Sequence, residues 1–156
     1  MGDIQEMTMS NKPTNEELEQ KIERLTETFS KTVESLRETQ KLAKIGNWEW
    51  NMERQTLTWS DEVYYIFGLE PAEFEPSVET FEAAIHPDDR EGFLEQREVM
   101  LNEKKQAIID HRIVLPDGTV RYIQERTQLL FDNQEEISRV IGTVQDITDR
   151  KRVEEE

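Results

Sequence analysis

Arg139-Val-Ile-Gly-Thr-Val-Gln-Asp-Ile-Thr148 runs straight into the charged segment Asp149-Arg-Lys-Arg152. Its β-branched and apolar residues predict a strand, and Asp146-Ile147-Thr148 falls where a sheet hands over to a helix. A junction of this kind transmits rather than catalyses. Immediately upstream, residues 107–115 alternate and are rich in β-branched side chains, Pro116-Asp117-Gly118-Thr119 is a turn, and residues 120–131 form a further strand. Residues 132–135 turn the chain again into a last strand over 137–147. Tight turns need no crossover, so these three strands are neighbours in an antiparallel meander.

Working outward, residues 47–51 and 56–59 alternate aromatic or apolar side chains with polar ones and predict a hairpin. Ser60 is placed to cap a short helix over 61–67, which ends at Gly68. Ser77 opens a second helix through Val78, Phe81, Ala84 and Ile85, and His86-Pro87 closes it because the residue before proline is pushed out of the helical region. A third helix starts at Pro87, with Asp88 and Asp89 in its first turn and Phe93, Met100 and Leu101 on its apolar face. The expected fold is therefore α+β: a five-stranded antiparallel sheet with three short helices between strands two and three. Ile109, His111, Ile113 and Leu115 alternate with Asp110, Arg112 and Val114, so neither sheet face is wholly polar and both are expected to be covered. One face takes the inserted helices, the other the N-terminal helix or a second subunit. Arg112, Arg121, Arg126 and Arg139 read as cross-strand partners of Asp110 and Glu125.

Before the sheet, Thr14 and Glu17 have capping-box spacing and predict a helix from about Asn15. Its seam is Leu18, Ile22, Leu25, Phe29, Val33 and Leu36, continued through Gln40 and Ala43, with a stutter at Phe29 and Gly46 as the expected stop. A narrow apolar stripe on a charged helix calls for a partner, most simply the same helix of a second copy. The expected boundaries are a flexible arm over 1–13, the amphipathic, coiled-coil-like helix over 14–45, the α+β domain over 46–148 and the start of a connector helix over 149–156.

Charge and composition narrow the function. The 156-residue chain carries 35 acidic against 19 basic residues, a net charge of −16, which opposes nucleic-acid phosphates and anionic membrane surfaces. No stretch approaches the ~18 apolar residues of a membrane span, so a soluble, cytoplasmic protein is expected. The absence of cysteine excludes disulfides, thiolate metal sites, cysteine nucleophiles and cysteinyl cofactor adducts. No phosphate-cradling glycine loop or nucleophile-base constellation is present, and His86, Asp88 and Asp89 are explained by helix capping rather than by a metal. Trp48, Trp50 and Trp59 read as packing rather than as a stacking platform for a ligand.

Several local motifs, taken in order, resemble the PAS sensory family: Trp48-x-Trp50, Trp59-Ser60-x-Glu62 with Ile66-Phe67-Gly68, His86-Pro87-Asp88-Asp89-Arg90, Arg112-Ile113 with Pro116-Asp117-Gly118, Arg121-Tyr122-Ile123, and Gly142 with Asp146-Ile147-Thr148. The likeness covers about residues 42–150, with Tyr122 where the family often has Trp and Asn51 where it often has Asp. It implies a signal-input, relay and dimerisation module rather than an enzyme, most simply the input of a sensor histidine kinase in a two-component system. The input of a diguanylate cyclase and a stand-alone ligand- or cofactor-binding regulator are the alternatives. It also implies a cavity between sheet and helices, for which Ile66, Phe67, Ile85, Phe93, Tyr122 and Ile141 are the candidate liners, and an output junction at Gly142, Asp146, Ile147 and Thr148. No cofactor is specified: a cysteine-adduct flavin is excluded, and haem is disfavoured because His86 and His111, its only axial candidates, have structural explanations. The expected partners are a second copy bound through the N-terminal helix, a downstream output domain and, as an open alternative, a small-molecule ligand.

Overall fold

The computed structural model describes residues 11–155, so most of the expected N-terminal arm, residues 1–10, lies outside the described residues. The chain divides into two compact units after Leu36. Helix α1 (Asn15–Ala43) carries the first unit. Its start is the expected capping box: the Glu17 carboxylate accepts the Thr14 N–H at 3.2 Å and the Thr14 hydroxyl accepts the Glu17 N–H at 3.2 Å. Along its seam Ile22, Leu25, Phe29 and Leu36 are 62%, 65%, 70% and 56% exposed, so this apolar stripe is left unburied.

In the second unit the strands are β1 (Ile45–Asn51), β2 (Thr56–Trp59), β3 (Ile108–Val114), β4 (Val120–Phe131) and β5 (Ile137–Asp146). All neighbours are antiparallel, in the order β2-β1-β5-β4-β3, so the last strand in sequence lies at the centre of the sheet. Helices α2 (Asp61–Ile66), α3 (Val78–Ala84) and α4 (Pro87–Glu103) fill the connection between β2 and β3, and α5 (Thr148–Glu155) follows β5 directly. Strand parity decides which side chains face those helices. The inner face carries Trp48 and Trp50 of β1, Ile109, His111 and Ile113 of β3, Ile123, Glu125, Thr127 and Leu129 of β4, and Val140 and Val144 of β5. Trp59, Val63, Ile66, Phe67, Ile113, Leu115, Ile123 and Val144 form the main core cluster. Removing apolar surface of this kind from water, at roughly 25 cal/mol per Å², is what holds the helices on the sheet.

Two local elements differ from expectation. Gly46 does not stop α1; the helix ends before Lys44, which takes a left-handed φ of 54°, and Gly46 is a buried strand residue. A β-carbon at Gly46 would stand 2.4 Å from Val63 Cγ2 and 2.7 Å from Val63 N, so glycine is needed there for the close approach of α2 to β1. Ser60 holds the N-cap position of α2, but its hydroxyl accepts the Asn47 N–H at 3.0 Å and ties α2 to β1 instead of capping the helix.

The arginines also pair differently from the cross-strand reading. Arg139 of β5 donates to Glu49 of the neighbouring β1 at 2.8 Å, and Arg121 of β4 pairs with Asp146 of the neighbouring β5 at 3.9 Å, neither of them with Asp110 or Glu125. Arg112 grips Asp89 of α4 through Nε at 2.9 Å and a terminal nitrogen at 2.7 Å, while its backbone N–H reaches the same carboxylate at 2.8 Å. Those hydrogen bonds hold the Asp89 carboxyl below the usual carboxylate range. The physical reason is position: β3 is an edge strand, and its free N–H groups take a partner from the helix beside it.

Candidate functional site

Between the inner face of the sheet and α2 to α4 lies a cavity of about 60 Å³. Its walls are aromatic and aliphatic, with Trp48, Trp50, Leu57 and Trp59 from the hairpin, Val63 and Phe67 from the α2 end, Phe81 from α3, and Phe93 and Met100 from α4. At roughly 30 Å³ per water molecule it has room for about two, far less than the ~300–1,000 Å³ of a drug-sized ligand site. A larger guest enters only if side chains move.

Of the six expected liners, Phe67 and Phe93 line this cavity. Ile66 and Ile85 are buried in the adjoining core, at 3% and 0% exposed, without reaching its wall. Tyr122 and Ile141 are misplaced by that expectation. Ile123 and Val140 occupy the inner face, so period-two alternation sends Tyr122 and Ile141 to the opposite face of the sheet. Conversely, the three tryptophans read as packing do both things at once: they pack, and they form one wall of the cavity. Their strict alternation with polar residues in β1 and β2 is the signal that places them on one face.

Polar groups also reach the cavity. Arg97 of α4 pairs with Glu82 of α3 at 2.5 Å and lies over the rings of Trp50 and Phe93 at 5.7 and 5.8 Å, an ion pair joined to cation–π contacts. Thr127 donates to the Ala107 carbonyl at 3.1 Å and accepts the Ala107 N–H at 2.9 Å. The Trp48 indole nitrogen is buried without a hydrogen-bond partner. Glu125 faces His111 across the β3–β4 ladder, Oε2 to Nε2 at 3.2 Å, with their side chains 6% and 2% exposed.

The expected output junction is a compact hydrogen-bonded knot. Asp146 Oδ1 accepts both the N–H of Thr148 at 2.9 Å and its hydroxyl at 2.5 Å. The Thr148 hydroxyl oxygen accepts the Tyr122 N–H at 3.1 Å, and the Ile147 N–H donates to the Tyr122 carbonyl at 2.9 Å. Asp146 thus starts α5 and fastens it to β4 in one motif, as a side chain that satisfies free amides at a helix start. Tyr122, expected in the cavity, contributes its backbone here.

Arg121 connects the two regions. Its guanidinium lies 3.9 Å from Asp146 Oδ2 and donates to the carbonyls of Tyr65 and Ile66 at 2.9 and 2.7 Å. These carbonyls end α2, the helix whose Val63 lines the cavity. Gly142 completes the frame, since its α-carbon sits against the Trp48 ring on the paired strand.

A family model described as PAS fold matches residues 56–144. A solved structure of a sensory box histidine kinase/response regulator from Burkholderia thailandensis is 30% identical, with 77% of this chain and 89% of that chain covered and a TM-score of 0.65. Among curated proteins, a probable diguanylate cyclase of Escherichia coli K12 is 22% identical over 111 residues, 71% of this chain and 10% of that protein. A methyl sulfide methyltransferase-associated sensor of Methanosarcina acetivorans is 30% identical over 89 residues, 56% of this chain and 9% of its own length. The chain therefore spans about a tenth of the length of the curated relatives it matches.

Proposed function

Since the chain belongs to the PAS family and is a sensory rather than a catalytic domain, we propose that it is an input and relay module passing changes at the cavity to α5. The observation that carries this reading is the Arg121 bridge between the α2 carbonyls at the cavity and Asp146 at the start of α5. A shift of α2 changes the support of Asp146, and with it the bonds that orient α5. Coupling of this kind needs an element with two arrangements, a role we give to the short, charged α5.

In this reading the module works as a cytoplasmic homodimer through the α1 seam and drives a downstream output domain, most simply a histidine kinase of a two-component system. The kinase-linked relative at 30% identity supports that choice, and the cyclase relative supports a diguanylate cyclase as the second output. Among the described residues no helix is long and apolar enough to cross a membrane. In this role the module carries no cofactor. His86 Nδ1 accepts the Asp88 N–H at 3.1 Å at the start of α4, and both ring nitrogens of His111 face oxygen atoms, so both histidines have structural roles in the fold. A small ligand is compatible with the cavity only with rearrangement of its walls.

Sedimentation velocity and native mass spectrometry of the full chain test the dimeric relay together with its cofactor state. The expected result is a colourless dimer that becomes monomeric on Leu25→Lys, because a charge is placed on the exposed seam. A wild-type monomer at high micromolar concentration overturns the dimeric reading, and a Soret band overturns the cofactor-free one.

A further inference from the structure

We infer that the buried His111–Glu125 pair is a proton-operated latch between the sheet and helices α3 and α4, closed when His111 is an imidazolium and released when that proton leaves. His111 Nε2 faces Glu125 Oε2 at 3.2 Å, and His111 Nδ1 faces the Arg112 carbonyl oxygen at 3.2 Å. Both oxygens are acceptors when Glu125 is ionised, and only the doubly protonated ring has a donor for each. A neutral ring leaves one nitrogen lone pair against an oxygen lone pair, in a place where water does not compensate. His111 is 5% exposed and Glu125 5% exposed.

Around the pair, β4 contributes Glu125, the neighbouring β3 residue contributes the Arg112 carbonyl, and α4 contributes Asp89, whose charge favours the protonated ring. Arg97 of α4 also reaches the cavity that Glu125 lines, but its charge is matched by Glu82 of α3. The Arg112 guanidinium is likewise occupied by Asp89. With Arg97 matched by Glu82 and Arg112 by Asp89, the net field at His111 is set chiefly by Glu125. Burial pushes the imidazole down, yet the Glu125 hydrogen bond and charge outweigh it, and the group is held above its ordinary value of 6.5.

The ring also carries the helices. Phe93 of α4 packs edge-on against it at 4.8 Å and Phe81 of α3 at 6.0 Å, with interplanar angles of 62° and 87°. Both phenylalanines line the cavity. Reorientation of His111 on proton loss therefore loosens the two helices that close it. A folded-state value raised above the unfolded one contributes stability that is complete below about pH 6.5 and is lost as pH rises through the folded value.

The test is NMR of the His111 ring nitrogens in the full chain from about pH 5.5 to 9. Because the chain has only two histidines, His86→Gln identifies the signals. The expected result is an imidazolium that titrates above 6.5, with Phe81 and Phe93 signals moving at the same midpoint. Denaturant titrations over the same range should show the folded-to-unfolded ratio falling about tenfold for each unit of elevation. Glu125→Gln should bring the midpoint below the ordinary value, because burial then prevails. A ring that stays neutral throughout, a wild-type midpoint at or below 6.5, or a titration that leaves Phe81 and Phe93 unmoved overturns the latch.

Discussion

Trp59→Ala is expected to lower the unfolding free energy by about 4 kcal/mol, within the ~3–5 kcal/mol typical of removing a large buried aromatic. Trp59 is 8% exposed and stacks on Phe67 and Phe74 at 5.0 and 5.8 Å, with the edge of Tyr64 at 5.3 Å. Its loss removes a ring partner from each of Phe67, Phe74 and Tyr64. The void is continuous with the existing cavity, which Trp59 already lines. Added indole should accordingly recover part of the loss, as apolar guests fill dry engineered cavities. Urea denaturation with and without indole reads both effects. A loss below about 1 kcal/mol would mean that the aromatic wall does not hold the hairpin to α2.

Gly142→Ala adds a single carbon and should be nearly as damaging, about 3 kcal/mol, the upper end of the overpacking range. An ideal β-carbon there stands 2.1 Å from the Arg126 carbonyl oxygen and 2.8 Å from Trp48 Cζ2. The first of these neighbours is backbone in the central β4–β5 ladder and cannot swing away. Gly92→Ala is the matched control. Nothing lies within 4 Å of its added carbon, and in the α4 interior alanine is favoured over glycine by about 1 kcal/mol. Thermal unfolding of the two variants should therefore move in opposite directions. Equal and small shifts would contradict the close packing of β5 on Trp48.

Much of the fold was legible because turns and periods are local signals. Pro116-Asp117-Gly118 and the alternation on either side of it suffice for the β3–β4 hairpin, and Gly118 takes the positive φ of 87° that such a turn asks of it. Thr14 and Glu17 mark the start of α1, because the capping bonds span only three residues. The cavity was less legible because it is assembled from parity across five strands. One error of phase moves a residue to the other side of the sheet, as happened to Tyr122 and Ile141.

The expected junction residues Asp146, Ile147 and Thr148 do come together, since their bonds are again local. The Arg121 bridge to α2 crosses more than fifty residues and no local pattern carried it. His111 and Glu125 were missed as a pair for the same reason. Their match is a matter of cross-strand register, with His111 opposite Ile123 and Glu125 opposite Ile109.

Hydrogen exchange of the α5 amides in Asp146→Ala against the wild-type chain tests the relay at its narrowest point. If Asp146 orients α5, losing its two bonds to Thr148 should speed exchange at the start of α5 by about tenfold, the worth of roughly one to two hydrogen bonds. Protection at Ile123 and Val140 in the sheet centre should stay as it was. Unchanged exchange in α5, or acceleration of α5 and the sheet centre by the same factor, would contradict a junction that steers the helix separately from the fold.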